Sequence, residues 1–241
     1  MKPVFLLSIR QLVRRRRLVL ILLLIILPAA LAAAISALGS GNESQESDLI
    51  NNLLDGMLIA VIMPIVTIAL ATTVFGDELV DRTLSYLVLK PISRWRIALP
   101  KFLSAIVICA PLLILSGIVT AIVIFNGDGQ AVAAAGVAIF AGVMAYAAIF
   151  TWAGLLSTRA LGFGLVYVFL WEGVITSYLG SVRYLSVRGY TLAIMHGIDN
   201  HSFEEIGDRV IEFPAGIAGS IAVTIVFFFL TVRRLRRMDV P

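Results

Sequence analysis

FGDELVDRTLSYLVLKPISRWRIALPKF, running from Phe75 to Phe102, is the one long segment between two apolar runs that is both charged and patterned for helix. Leu79, Val80, Leu84, Leu87 and Val88 recur at three- and four-residue steps, which places them on one helical face. Asp77, Glu78, Asp81 and Arg82 fall mostly off that face. Pro91 stops the helix, Ile92 and Ser93 make the turn, and Ser93 is the expected N-cap of a second helix that carries Arg94, Arg96 and Lys101 into the next apolar run. The pattern predicts a helix–turn–helix lying across a membrane surface. The plainer alternative is a solvated loop between spans that does no more than anchor.

The flanking composition requires the membrane. Of 241 residues 60% are hydrophobic and only 14% charged, against about 25% in a soluble domain. Cys109 is the single cysteine and sits inside an apolar run, so it forms no disulfide framework or thiolate metal site and reads as a packing residue. A net charge of +4 does not point to nucleic acid, because the basic residues cluster beside apolar runs rather than forming a basic domain.

Outward from the central segment, six apolar runs are expected to span: 18–38, 55–75, 102–125, 131–156, 160–179 and 213–232. The expected fold is therefore an all-α integral membrane protein, a single transmembrane domain over 1–241. Before the first span, Phe5, Leu6, Ile9, Leu12 and Val13 share one helical face opposite Ser8, Arg10 and Gln11, the pattern of an interfacial helix. Residues 18–38 follow four arginines and end in small residues, as a signal peptide does. Their length matches the roughly 20 residues of a span rather than the 7–15 of a signal-peptide core, so a retained first span is expected. Ala29, Ala33 and Ala37, four apart, form a small-residue stripe suited either to close helix association or to ordinary packing within the chain. Pro64 is expected to kink the second span. Asn126, Gly127, Asp128 and Gly129 mark a tight turn between the third and fourth.

Basic residues test this count independently. With the N-terminus in the cytoplasm, the inner segments hold sixteen of the nineteen lysines and arginines, and the two short outer loops hold none. Both termini and the 76–94 element are then cytoplasmic, and 180–212 is external. Tyr184, Leu185, Leu192, Ile194, Met195, Phe203, Ile206, Val210 and Ile211 make that external segment partly amphipathic. Two short helices dipping back toward the membrane are expected, with their backbone buried in protein.

At the central segment a resemblance enters. GDELVDRTLSYLVLKPISRWRIALPK is similar to the signature of permease subunits of type-two ATP-binding-cassette (ABC) exporters, an acidic helix ending in a pattern like RTLSYLLLRPISR with a lysine at the start of the third span. The six-span layout resembles theirs as well. Asp81, Arg82 and Thr83 stand where many such permeases have Glu-Gly-Thr. The resemblance implies that Asp77, Glu78, Leu79, Asp81, Arg82, Thr83, Leu84 and Leu87 form a coupling helix docked in an ATPase groove, with Pro91, Ser93 and Arg94 at its corner. It implies two copies of a cytoplasmic ABC ATPase, a second permease copy as a homodimer, and Ala29, Ala33 and Ala37 at the dimer seam. ATP and Mg are expected at the ATPase, since this chain carries no G-x-x-x-x-G-K-[ST] phosphate loop. The implied setting is a bacterial plasma membrane and an apolar or amphipathic cargo such as a lipid, drug or peptide.

Other chemistry is sparse. Glu172 is the one carboxylate well inside a predicted span, where a charge costs about 2.5–3.5 kcal/mol on insertion scales. It is expected either to contact substrate or gate a path, with Trp171 and Tyr167 beside it, or to hydrogen-bond a neighbouring span or outer helix. His196 and His201 read as surface residues, no metal site is expected, and no catalytic residue is assigned. The sequons at Asn42 and Asn200 receive no role. A stand-alone ion-coupled carrier built on Glu172 is the alternative; it lacks the several intramembrane ionisable groups that such carriers use.

Overall fold

The computed structural model describes residues 9, 15–38, 51–80, 93–157, 159–175 and 180–237, and these are helices joined by short turns, with no strand among them. The helices are α1 (Arg15–Leu38), α2 (Leu53–Val80), α3 (Trp95–Ile124), α4 (Gly129–Leu156), α5 (Ala160–Val174), α6 (Val187–Ile198) and α7 (Phe213–Arg237). Four of them, α2, α3, α4 and α7, are long and apolar enough to cross a membrane. Shorter apolar helices lie at Ile21–Ala37, within α1, and at Ala160–Val174. The expected interfacial helix before residue 14 lies almost wholly outside the described residues.

α4 is the axis of the bundle. Ala131, Ala134, Ala135, Ala138, Gly142 and Ala145 are buried on it, and α2, α3, α6 and α7 all pack around it. Small side chains serve here because apolar attraction vanishes between helices already in lipid, so association rests on close van der Waals approach. At Gly142 a Cβ would stand 2.4 Å from Thr191 Oγ1 of α6 and 2.9 Å from Met63 Cε of α2. The turn before α4 follows its sequence: Asn126 and Gly127 have φ of 50° and 82°, and Asp128 caps the helix by accepting from the Gln130 N–H at 3.1 Å.

α2 is one rod with two changes of winding. Asn51–Ile62 is wound as a π-helix, and α-winding begins at Met63 with Pro64 in its first turn, where a missing N–H is harmless. A second interruption comes at Thr72, between Met63–Ala71 and Thr73–Val80. There Gly154 of α4 lies so close that a Cβ would stand 2.3 Å from the Thr72 carbonyl oxygen. The Thr72 hydroxyl turns back to donate to the Ile68 carbonyl at 2.6 Å. Helix continues through Val80, five residues beyond the expected end of the second span, so Asp77 and Glu78 belong to the last turn of α2. Likewise α3 begins at Trp95, seven residues before the expected start of the third span.

A donor from α3 reaches α1 one residue past the Leu24 carbonyl, which Pro28 leaves without its helical donor. Pro28 offers no N–H and crowds the preceding turn. The Ser116 hydroxyl of α3 donates to the Ile25 carbonyl in that turn at 2.6 Å.

Gly154→Val is expected to cost about 1–3 kcal/mol by overpacking the backbone of Thr72, read as a lower midpoint of thermal unfolding in detergent. Gly136→Ala, on the same helix but with nothing nearer than 3.8 Å, is expected to leave that midpoint unchanged or slightly raised.

Candidate functional site

Two polar clusters are built into an otherwise apolar bundle, one at each side of α4. The first joins the two helices that flank the central segment. Glu78, in the last turn of α2, and Lys101, in the second turn of α3, are both buried and form an ion pair at 2.7 Å. Lys101 Nζ also donates to the Val74 carbonyl at 2.6 Å and lies 4.6 Å from the centroid of the Phe75 ring. The ammonium is thus surrounded by a carboxylate, a carbonyl and an aromatic face, which replace the water it gave up. The second carboxylate oxygen of Glu78 is buried with no hydrogen-bond donor among the described residues.

This pair differs from the sequence expectation, which set Glu78 off the buried face. The cause is continuity: the segment does not restart as a separate surface helix at residue 76 but keeps the phase of α2, and that phase aims residue 78 at α3. Asp77 and Leu79 are half-buried, and Val80 is exposed. On the far side Ser93 is exposed and Arg94 half-buried. Arg94, not Ser93, is the N-cap of α3 and makes no side-chain cap; the Ser93 carbonyl accepts from the Arg96 N–H at 2.9 Å. Asp81, Arg82, Thr83, Leu84, Leu87 and Pro91 lie outside the described residues.

The second cluster forms where α6 begins. Glu172 of α5 is buried and accepts from the Val187 N–H at 2.9 Å and from the Ser186 hydroxyl. Ser186 is itself the N-cap of α6, accepting from the Gly189 N–H at 3.0 Å. A carboxylate therefore sits at the positive end of a helix whose first N–H groups lack intrahelical partners. One residue on, Arg188 pairs with Asp55 of α2 at 2.7 Å. Trp171 donates its indole N–H to the Leu185 carbonyl at 3.3 Å, and Tyr167 stacks on Trp171 with ring centroids 6.5 Å apart. The buried Tyr146 of α4 lies within electrostatic reach of Glu172.

α6 re-enters the bundle. Its end touches the start of α4, where Gln130 Nε2 donates to the Ile198 carbonyl at 2.9 Å. Thr191 meets Gly142, about 18 Å further along α4 at 1.5 Å per residue. The 180–212 segment thus supplies one helix packed against α4 and α7. Its second expected helix is only a short 3₁₀ turn, Glu204–Arg209.

Asp55–Arg188 and Glu78–Lys101 were not anticipated. Their sequence signal is faint: each acid closes or opens an apolar run, and each base lies in a different polar segment. Of the small-residue stripe, Ala29 is half-buried while Ala33 and Ala37 are exposed. Among the described residues no group of three or more His, Cys, Asp or Glu could hold a metal ion.

Comparison with known families decides the class. A model described as ABC-2 family transporter protein matches residues 11–184. The chain belongs to the ABC-2 transporter membrane family. That family supplies permease subunits and implies an ABC ATPase as partner, and the match runs through both polar clusters' α2, α3 and α5 members. No curated protein matches the chain.

Two predictions follow from the ABC-2 chain's clusters. Lys101→Ala strands the Glu78 carboxylate in an apolar site and is expected to cost about 3–5 kcal/mol, whereas Glu78→Leu with Lys101→Met is expected to recover most of it; unfolding in detergent measures both. Glu172→Leu leaves the Ser186 hydroxyl and the Val187 N–H without their acceptor, at about 1–3 kcal/mol. Faster amide exchange over 187–190 is its expected signature, with Glu172→Gln closer to the parent because an amide can still bond both.

Proposed function

We propose that this chain is the membrane subunit of an ABC exporter that moves an apolar or amphipathic substrate at the expense of ATP hydrolysed, with Mg, by two copies of a cytoplasmic ATPase. The observation that carries the reading is the family match across 11–184, which includes the 76–94 element. In this reading α1 and α5 complete a six-span bundle in a bacterial plasma membrane, with both termini and the 76–94 element in the cytoplasm. The chain is not itself an enzyme.

The geometry supports a mechanical role for that element. Both of its flanks are rigid helices, and the Glu78–Lys101 pair ties them together at their bases. A push on the intervening residues would reach α2 and α3 together rather than splaying one from the other. Gly154 against the Thr72 joint then carries the displacement into α4, the helix that touches most of the bundle. The exposed Ala33 and Ala37 leave a smooth face on α1 where a second copy can pack, which favours a homodimer seam. Glu172 does not act as a carrier's ion site in this reading, because it is committed to holding α6.

Leu84→Asp with Leu87→Asp is expected to abolish co-purification of the ATPase while leaving membrane insertion intact. Mild-detergent pull-down from the native host, with ATP hydrolysis assayed on the eluate, reads the result. A parent chain that elutes without an ATPase, or a double variant that retains one, overturns the coupling assignment.

A further inference from the structure

Between α4, α5 and α7 runs a groove of about 570 Å³. Phe150 and Trp152 of α4, Phe163 and Tyr167 of α5, and Phe227 of α7 form its walls. Ser157, in the turn between α4 and α5, lies at one end; Trp171 and Leu185, at the start of the re-entrant segment, lie at the other. Eleven residues of α5 separate Ala160 from Trp171, both on the groove wall, a length of about 16 Å at helical rise. The groove opens sideways onto the apolar surface, where Phe163 is 69% exposed and Leu156 44%.

Its dimensions select the occupant. Its walls are almost wholly apolar and leave about 570 Å³ between them, room for a single hydrocarbon chain laid along α5. The length exceeds the roughly 15 Å of one leaflet of a 30 Å hydrocarbon core, so one chain of one leaflet can lie fully inside. Leu185, Val187 and Tyr190 line the groove beside Trp171.

The Ser157 end carries the complementary charge. Arg159 is exposed beside Ser157, and its backbone N–H donates to Ser157 Oγ at 3.1 Å, which directs the hydroxyl hydrogen elsewhere. An exposed arginine two residues from a hydroxyl on the wall of an apolar groove suits the phosphate of a lipid whose chain fills the groove.

We propose that the α4–α5–α7 groove binds one acyl chain of an anionic phospholipid from the leaflet on the Arg159 side, with its phosphate at Arg159 and Ser157. The site concerns binding alone and stands whether or not an ATPase couples to the chain. The full chain in nanodiscs, doped with phosphatidylglycerol or phosphatidylcholine bearing a diazirine on the acyl chain, is photolysed and the adducts are mapped by mass spectrometry. Adducts are expected to concentrate on peptides containing Trp152, Phe163 and Tyr167, with phosphatidylglycerol favoured. Arg159→Gln, at an exposed position, is expected to remove about fivefold of that preference, the share of one basic residue at an anionic surface. Ala153→Trp is expected to fill the groove and abolish its adducts while leaving those at Leu23 on α1 unchanged. Adducts spread evenly over exposed apolar residues, equal labelling by the two lipids, or a preference untouched by Arg159→Gln would each overturn the proposal.

Discussion

In hydrocarbon no solvent takes up an unpaired polar group, and that single constraint decides where each polar residue of this bundle points. Five threonines of the spans answer it locally: Thr67, Thr72, Thr120, Thr224 and Thr231 each donate to the carbonyl four residues before them. Such bonds dispose of a hydroxyl without needing another helix. The charged groups have no local solution, since neither a carboxylate nor an ammonium can be neutralised by its own turn. Each therefore reaches to another helix, and the result is a small number of long-range ties: α2 to α3 through Glu78 and Lys101, α5 to α6 through Glu172, and α6 to α2 through Arg188 and Asp55. Buried pairs of this kind add little net stability over an apolar replacement, but losing one partner is expensive, so they specify which helices meet.

The ties are placed at joints rather than along smooth rods. Glu78 and Lys101 meet where α2 ends and α3 begins, on either side of the 81–92 stretch. Glu172 grips α6 at its first turn, where unpaired N–H groups gain most from an anion. Between those two places lies α4, whose alanines and glycines let four helices approach without interdigitating large side chains. Large knobs would lock each contact in one register, whereas small smooth faces let rigid helices slide past one another. An assembly of polar fasteners at the joints and smooth contacts between them suits rigid-body rearrangement better than local unfolding.

Much of this was legible in the chain. The four long spans follow from run length, and the Asn126–Gly129 turn from residues that tolerate positive φ. The helix at 187–198 was readable from apolar residues spaced as a helix inside a polar segment. What could not be read was pairing across distance. Asp55 and Arg188 are 133 residues apart, and no local pattern connects them; only the descent of α6 beside α2 does. The face of Glu78 was misread for another reason: the apolar spacing of Leu79, Leu84 and Leu87 describes a helix from 79 onward, while residue 78 takes its direction from the span before it. A helical wheel assigns faces only when the start of the helix is known.

The re-entrant helix links the two inferences about function. Its first turn is at once the partner of Glu172 and part of the wall of the α4–α5–α7 groove, through Val187 and Tyr190. An occupant of that groove touches the turn that Glu172 holds. The two are therefore energetically linked through one helix terminus: by linkage, if a bound chain favours one position of α6, then α6 in that position binds the chain more tightly by the same factor.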